Sequence, residues 1–258
     1  MAEPYYYLNG AEFDAEPVPM GPAYMVASSP RSGSTLLCRL LWNRGSAGLP
    51  HEYFHRRHRA ELSERWGVGP GLEGYLAELA RRRTGGNGTF GFKAHFPQVE
   101  EAFLSAGADP AQAFPGLRVV YVYRSDRVSQ AVSFDLASAT GLWSGEASAW
   151  AATGAKPEYD FERLWGRLRR ILNIENSWEA YFEERGLDPL RLRFEDLVAD
   201  PERAADRVCD YVGVERTGEV ARGLPLLPSQ HEAANEEWAR RLAADLTRRA
   251  RPRTAEGG

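Results

Sequence analysis

A three-layer α/β fold built on a mainly parallel sheet is predicted by three features of the sequence. Apolar β-type runs alternate with amphipathic helical segments along most of the chain, as when parallel strands are joined by crossover helices. The first run, Tyr24-Met25-Val26-Ala27, breaks at Ser28 into a short loop of small residues carrying one Arg, and a helical pattern begins at Ser34. The run Leu117-Arg118-Val119-Val120-Tyr121-Val122-Tyr123 is nearly all β-formers, which suits a parallel strand covered on both faces.

The chain has 258 residues, the range of one α/β domain, and one domain over 1–258 is expected. With 43% hydrophobic and 26% charged residues it is ordinary globular material. The first residues, Met1-Ala2-Glu3-Pro4-Tyr5, lack a basic and then apolar leader pattern, and no apolar run is long enough to span a bilayer. A cytoplasmic protein with no membrane span is therefore expected. Cys38 and Cys209 cannot build a disulfide framework, and Cys38 reads as a small buried hydrophobe. The net charge of -4, with no long basic run, argues against a nucleic-acid partner.

Taken in order, residues 1–21 read as an N-terminal arm with no assigned chemistry. After the strand at 24–27, the helix from Ser34 runs through Trp42, and the Gly and Pro content of 43–50 marks a turn-rich connection. Glu52, Tyr53 and Phe54 follow it. Residues 56–83 are helical and highly charged with a break at 67–71, predicting two surface helices whose arginines form a solvated face. A turn at Gly85-Gly86-Asn87-Gly88 precedes a strand over 89–93 that leads into Lys93-Ala94-His95-Phe96-Pro97. Arg124 closes the strand at 117–123, and Ser125 or Asp126 is placed to cap a helix over 128–137. Residues 139–157, rich in Gly, Ala and Ser around Trp143 and Trp150, have the composition of a lid loop. A long helix is predicted over 159–185, a last strand over 190–194, a turn at 195–197 and a helix over 201–212, with a frayed tail over 240–258.

The loop Ser29-Pro30-Arg31-Ser32-Gly33-Ser34-Thr35 carries the chemistry. Unpaired N–H groups and the positive end of a helix dipole converge there, and small residues let an anion come close. The phosphate loop of nucleoside triphosphatases reads G-x-x-x-x-G-K-[ST]. Aligning Gly33 with its second Gly places Ser28 at the first and Ser34 at the Lys, while the cation has moved to Arg31. The arrangement predicts a P-loop NTPase-like fold whose loop holds a less highly charged group than a triphosphate. At the end of the 117–123 strand, where a nucleotide triphosphatase often carries a metal-binding Asp, the chain has Arg124, which suggests a second anion position.

These residues resemble the PAPS-dependent sulfotransferases, and the Arg-Ser-Gly-Ser-Thr form of the loop resembles the bacterial Stf0 type. Glu52-Tyr53-Phe54, Gly91-Phe92-Lys93, the run from Tyr123 to Phe134, Trp178-Glu179-Ala180-Tyr181-Phe182 and Glu237-Trp238 extend the likeness over about residues 23–240. The resemblance implies 3′-phosphoadenosine 5′-phosphosulfate (PAPS) as co-substrate, a small-molecule hydroxyl acceptor such as a carbohydrate or secondary metabolite, no metal, and a homodimer. It places the 5′-phosphosulfate on Ser29 through Thr35 and the 3′-phosphate on Arg124 with either Ser129 or Ser133.

In-line sulfuryl transfer needs a base for the attacking oxygen and cations near the leaving oxygen. Lys93 and Arg31 are the cations. Two residues compete as base: Glu52, which resembles the Stf0 carboxylate, and His95, in a Lys-x-His-x-Pro string that resembles the cytosolic enzymes. The whole-chain likeness favours Glu52. His51-Glu52-Tyr53-Phe54-His55 also spells the zinc-protease string H-E-x-x-H, but Pro50 and a Gly-rich turn directly before it oppose the helix that chelation needs. A nucleotide-dependent kinase and a non-catalytic nucleotide-binding protein are the alternative readings.

Overall fold

Strand β1 (Ala23–Ser28) is buried at every position, as its apolar run requires of a strand covered on both faces. The computed structural model describes residues 8–141, 143, 158–215, 223–224 and 233–250. After β1 come α1 (Ser34–Asn43), α2 (Arg56–Trp66), α3 (Leu72–Arg83), β2 (Phe90–His95), α4 (Phe96–Ala102), α5 (Pro110–Ala113) and β3 (Arg118–Tyr123). They are followed by α6 (Arg127–Thr140), α7 (Phe161–Glu184), β4 (Leu190–Arg193), α8 (Phe194–Ala199), α9 (Pro201–Val212) and α10 (Ala233–Ala250). The chain divides into two compact units, Met1–Ser125 with Ile174–Leu226, and Asp126–Asn173 with Leu227–Gly258.

The first unit holds a four-stranded sheet in the order β2-β1-β3-β4, with every pair parallel. Side chains alternate across it with period two. Tyr24, Val26, Val120, Val122 and Leu192 face Leu37, Leu40 and Leu41 of α1 and Ala205, Val208 and Cys209 of α9. Met25, Ala27, Phe90, Phe92, Val119 and Tyr121 face the opposite way, against Trp178, Tyr181 and Phe182 of α7. Helices therefore cover both faces, and the predicted three-layer α/β architecture is the observed one. From β1 the chain goes first to β2 on one side and then to β3 on the other. The carboxyl end of β1 is thus a topological switch point, where α/β sheets hold ligands. Gly91 allows this packing, since a Cβ there would lie 2.5 Å from the ring of Tyr24.

In the second unit, Phe134 of α6, Leu164, Leu168 and Ile171 of α7, and Trp238 and Leu242 of α10 share one core. The buried carboxylate of Asp135 is paired with Arg163 at 2.8 Å and Arg167 at 3.3 Å.

Three expectations are corrected. Phe194 does not end a strand: it opens α8, which also takes up Glu195, Asp196 and Leu197, and the two acids suit the positive end of that helix. The tail is not frayed from residue 240, because Trp238, Leu242 and Leu246 recur at helical spacing and hold α10 to Ala250. Arg83 is not on a solvated face: its side chain is fully buried, meets Asp14 at 3.2 Å and lies over the rings of Tyr53 and Trp66. Tyr53, beside Glu52, is a core residue whose hydroxyl donates to the Leu49 carbonyl at 2.6 Å. Most of the expected lid, Trp150 included, lies outside the described residues, as do 251–258.

Candidate active site

The loop that follows β1 reverses direction through two residues of positive φ, Arg31 at 65° and Gly33 at 88°. Arg31 is the one non-glycine residue with positive φ among those described, a conformation that costs such a residue about 1–3 kcal/mol. Gly33 must be glycine twice over, because a Cβ would also lie 2.5 Å from Cδ2 of Phe194. The turn delivers the chain into α1 with Gly33 as its N-cap, so the first-turn amides have no acceptor within the helix. Beside them the Ser32 hydroxyl is buried and finds no hydrogen-bond partner among the described residues. A buried orphan of this kind costs about 1–3 kcal/mol unless a ligand accepts from it.

Two cations flank the loop. Arg124, just past β3, holds its guanidinium 4.7 Å from the ring centre of Phe194, the same ring that packs against Gly33. Burial in the loop, with repulsion from Arg124 added, pushes the Arg31 guanidinium down to about 10. Two like charges gathered in a desolvated place are stabilised by an anion bound between them.

The second half of the site comes from β2. Pairing Val26 with Lys93 and Ser28 with His95 brings both side chains to the ligand-binding end of β1. Residue 51 forms a parallel bridge to Phe92, and its carbonyl accepts from the Lys93 amide at 2.9 Å, so the turn carrying Glu52 is pinned against β2. As a result the Lys93 ammonium, 2% exposed, lies 2.6 Å from Glu52 Oε1 and donates to Thr35 Oγ1 at 2.8 Å. Gln98 of α4 donates to the other carboxylate oxygen, Oε2, at 2.7 Å. Burial pushes Glu52 up, but the charge of Lys93 and the electrostatic pull of the His95 ring, with hydrogen bonds from Lys93 and Gln98, hold it well below the usual carboxylate range.

His95 Nδ1 lies 3.1 Å from the Ser28 carbonyl oxygen and 3.1 Å from Ser28 Oγ. A carbonyl can only accept, so Nδ1 carries the proton and Nε2 is the acceptor nitrogen. Burial lowers this imidazole to about 4, and it is neutral at neutral pH. Trp178 Nε1 donates to the same Ser28 carbonyl at 2.9 Å and fixes the end of β1 from beneath.

The H-E-x-x-H string is not helical, for α2 starts only at Arg56. His51 Nε2 instead lies 3.1 Å from His58 Nδ1, which also meets the Asn9 side chain of the N-terminal arm at 3.0 Å. Burial, aided by the neighbouring His58, holds His51 well below its usual range, and burial takes His58 down to about 3.

The structure thus brings together Ser29, Pro30, Arg31, Ser32, Gly33, Ser34 and Thr35 in the loop and first turn, with Lys93, Glu52 and His95 at its side and Arg124 past β3. Ser129 and Ser133 belong to α6 of the second unit. There the amide and hydroxyl of Ser129 bond the Asp126 carboxylate at 2.9 and 2.5 Å, so Ser129 serves the helix cap. Two residues were missed at the sequence level, Gln98 and Phe194. The spacing of Gln98, three residues after a strand end and one after Pro97, fits a helix-start signal that could have found it.

The Stf0 sulphotransferase family model matches residues 23–245. A trehalose 2-sulfotransferase of Mycobacterium tuberculosis is 29% identical over 87% of this chain and 96% of its own length. One from Mycolicibacterium smegmatis is 27% identical over 88% and 96%. Among solved structures, a sulfotransferase of Alicyclobacillus acidocaldarius covers 88% of this chain and 94% of its own at 13% identity, with a TM-score of 0.46. With the family match running from the first residue of β1 into α10 and taking in the anion loop, Glu52, Lys93 and Arg124, the chain belongs to the Stf0 sulphotransferase family and is a sulfotransferase.

Proposed function

We propose that this sulfotransferase takes PAPS as donor and transfers its sulfuryl group in line to a hydroxyl of a carbohydrate acceptor, with Glu52 as the base. The observation that carries the reading is the reach of Lys93: one buried ammonium touches both Thr35, in the first turn behind the anion loop, and Glu52. It links the place suited to the leaving group with the carboxylate that would take the proton.

The residues present fit the donor. The Ser32 hydroxyl, buried without a partner among the described residues, the first-turn amides of α1, and Arg31 are all donors and suit the 5′-phosphosulfate. Arg124, lying on the Phe194 ring, suits the 3′-phosphate. The donor supplies a sulfuryl group on a phosphate leaving group. Trehalose is the first acceptor to try, because both mycobacterial relatives carry it in their names.

Glu52 is ionised at neutral pH and ready to accept a proton. While Lys93 holds it the carboxylate is a weak base. As Lys93 turns toward negative charge developing on the leaving oxygen, Glu52 loses its strongest attraction and burial raises its proton affinity. Proton uptake is thereby tied to charge appearing on the leaving group. His95, neutral with Nε2 as acceptor, orients the acceptor hydroxyl.

The test is incubation of the protein with PAPS and trehalose, read by mass spectrometry, with Glu52→Gln and His95→Ala beside the wild type. Trehalose gains one sulfuryl group, and Glu52→Gln lowers kcat about 10²–10⁴-fold, the usual contribution of a general base. A Glu52→Gln enzyme at wild-type rate, with His95→Ala inactive, would transfer the role to His95.

A further inference from the structure

We propose that Gln98 is a positioning residue for sulfuryl transfer, holding Glu52 by Oε2 so that the carboxylate keeps its aim when Lys93 leaves Oε1 for the leaving group. The inference rests on the reading of Glu52 as the base.

Gln98 is the third residue of α4, which begins directly where β2 ends, with Pro97 setting its entry. The side-chain oxygen of Gln98 accepts from the His95 backbone amide at 2.9 Å. That backbone group can only donate, so the amide is fixed in one orientation and its NH₂ must face Glu52. The bond to Oε2, at 2.7 Å, follows from it. A helix cap alone would need only the first of these bonds. The second joins Glu52 to the same strand end that carries Lys93 and His95, and the Gln98 side of it is buried.

The titratable groups around Glu52 come from four elements. They are Lys93 and His95 of β2, His51 in the preceding turn, His58 of α2 and Cys38 of α1. Burial keeps the three histidines neutral at neutral pH and pushes the Cys38 thiol up to about 12. Lys93 is therefore the cation of this group, and it is the member that the reaction draws away. Gln98 is a neutral donor with no competing task.

Two variants separate positioning from capping. Gln98→Glu keeps an oxygen for the His95 amide, so the start of α4 is preserved, but it offers Glu52 a second carboxylate. Gln98→Met removes both bonds. Three readouts apply: binding of 3′-phosphoadenosine 5′-phosphate by calorimetry, the Glu52 titration by ¹³C NMR of glutamate-labelled protein, and the pH profile of trehalose sulfation. The Glu52 signal is identified by its loss on Glu52→Gln in the same background. Loss of one hydrogen bond to a charged group raises the Glu52 midpoint by about one pH unit, a tenfold change in proton affinity. In both variants the acid limb of kcat moves up with it and kcat falls about tenfold, while bisphosphate affinity and KM for the donor stay as in the wild type. A wild-type titration and acid limb in Gln98→Glu would overturn the proposal and leave Gln98 a helix cap. Full turnover by Glu52→Gln would overturn the base reading itself, and this inference with it, in a separate sample.

Discussion

Replacing Lys93 by Met tests the central ion pair through stability, without any ligand. The substitution keeps volume and removes the ammonium, leaving a carboxylate 13% exposed with its 2.6 Å partner gone. Breaking a buried pair by deleting one member costs about 3–5 kcal/mol while the other stays charged. In the wild type Glu52 is held below its unfolded range, so its contribution is present above that range and lost as pH falls through the folded value. In the variant burial acts with less opposition, the folded value rises, and Glu52 escapes its penalty at low pH by taking a proton. The gap between the two proteins therefore widens as pH rises. For a chain of this size 1 kcal/mol is about 2–4 °C, so Tm falls by roughly 10 °C near pH 8 and by less than half of that near pH 5. Thermal melts of both proteins across that range measure it. Equal losses at both ends would refute the reasoning, since they would show Glu52 and Lys93 uncoupled.

Other predictions follow from the same geometry. Gly33→Ala places a Cβ 2.5 Å from Phe194 at a φ of 88°, and it should lower stability by about 1–3 kcal/mol and weaken bisphosphate binding more than tenfold by calorimetry. Trp178→Phe loses the 2.9 Å bond to the Ser28 carbonyl, and a urea midpoint should register about 1–3 kcal/mol. His51 and His58 are held well below their unfolded range by burial, so the unfolded chain binds their protons first and stability falls as pH drops below about 6.5. A His58→Asn variant should show a flatter decline in the same unfolding series. Phe194→Ala removes the ring under Arg124 and should weaken the bisphosphate about tenfold while donating no charge of its own, as a titration would show.

The sheet and the anion loop were legible because their signals are local. An apolar run that breaks into Ser28-Ser29-Pro30-Arg31-Ser32-Gly33 leaves few other structures open, and Lys93, His95 and Arg124 could be placed by their strand ends alone. The grip on Glu52 was not legible, since it depends on residue 51 bridging to β2 and on Gln98 reaching back from α4. Such pairings have no sequence period. Phe194 was lost to a boundary: the strand was read one residue too long, which hid a ring placed between Gly33 and Arg124. Arg83 shows the limit of composition, because an Arg-rich helix reads as solvated until the arm carrying Asp14 is seen to cover it.

The most direct test of the account is calorimetric titration of 3′-phosphoadenosine 5′-phosphate into the wild type, Arg31→Ala and Arg124→Ala, with ATP and Mg²⁺ as the control ligand. The expected result is that the bisphosphate binds in preference to ATP, and that each variant weakens it by tenfold or more, the worth of a charge-assisted phosphate contact. Failure of the wild type to bind the bisphosphate, or equal binding by all three proteins, would contradict it.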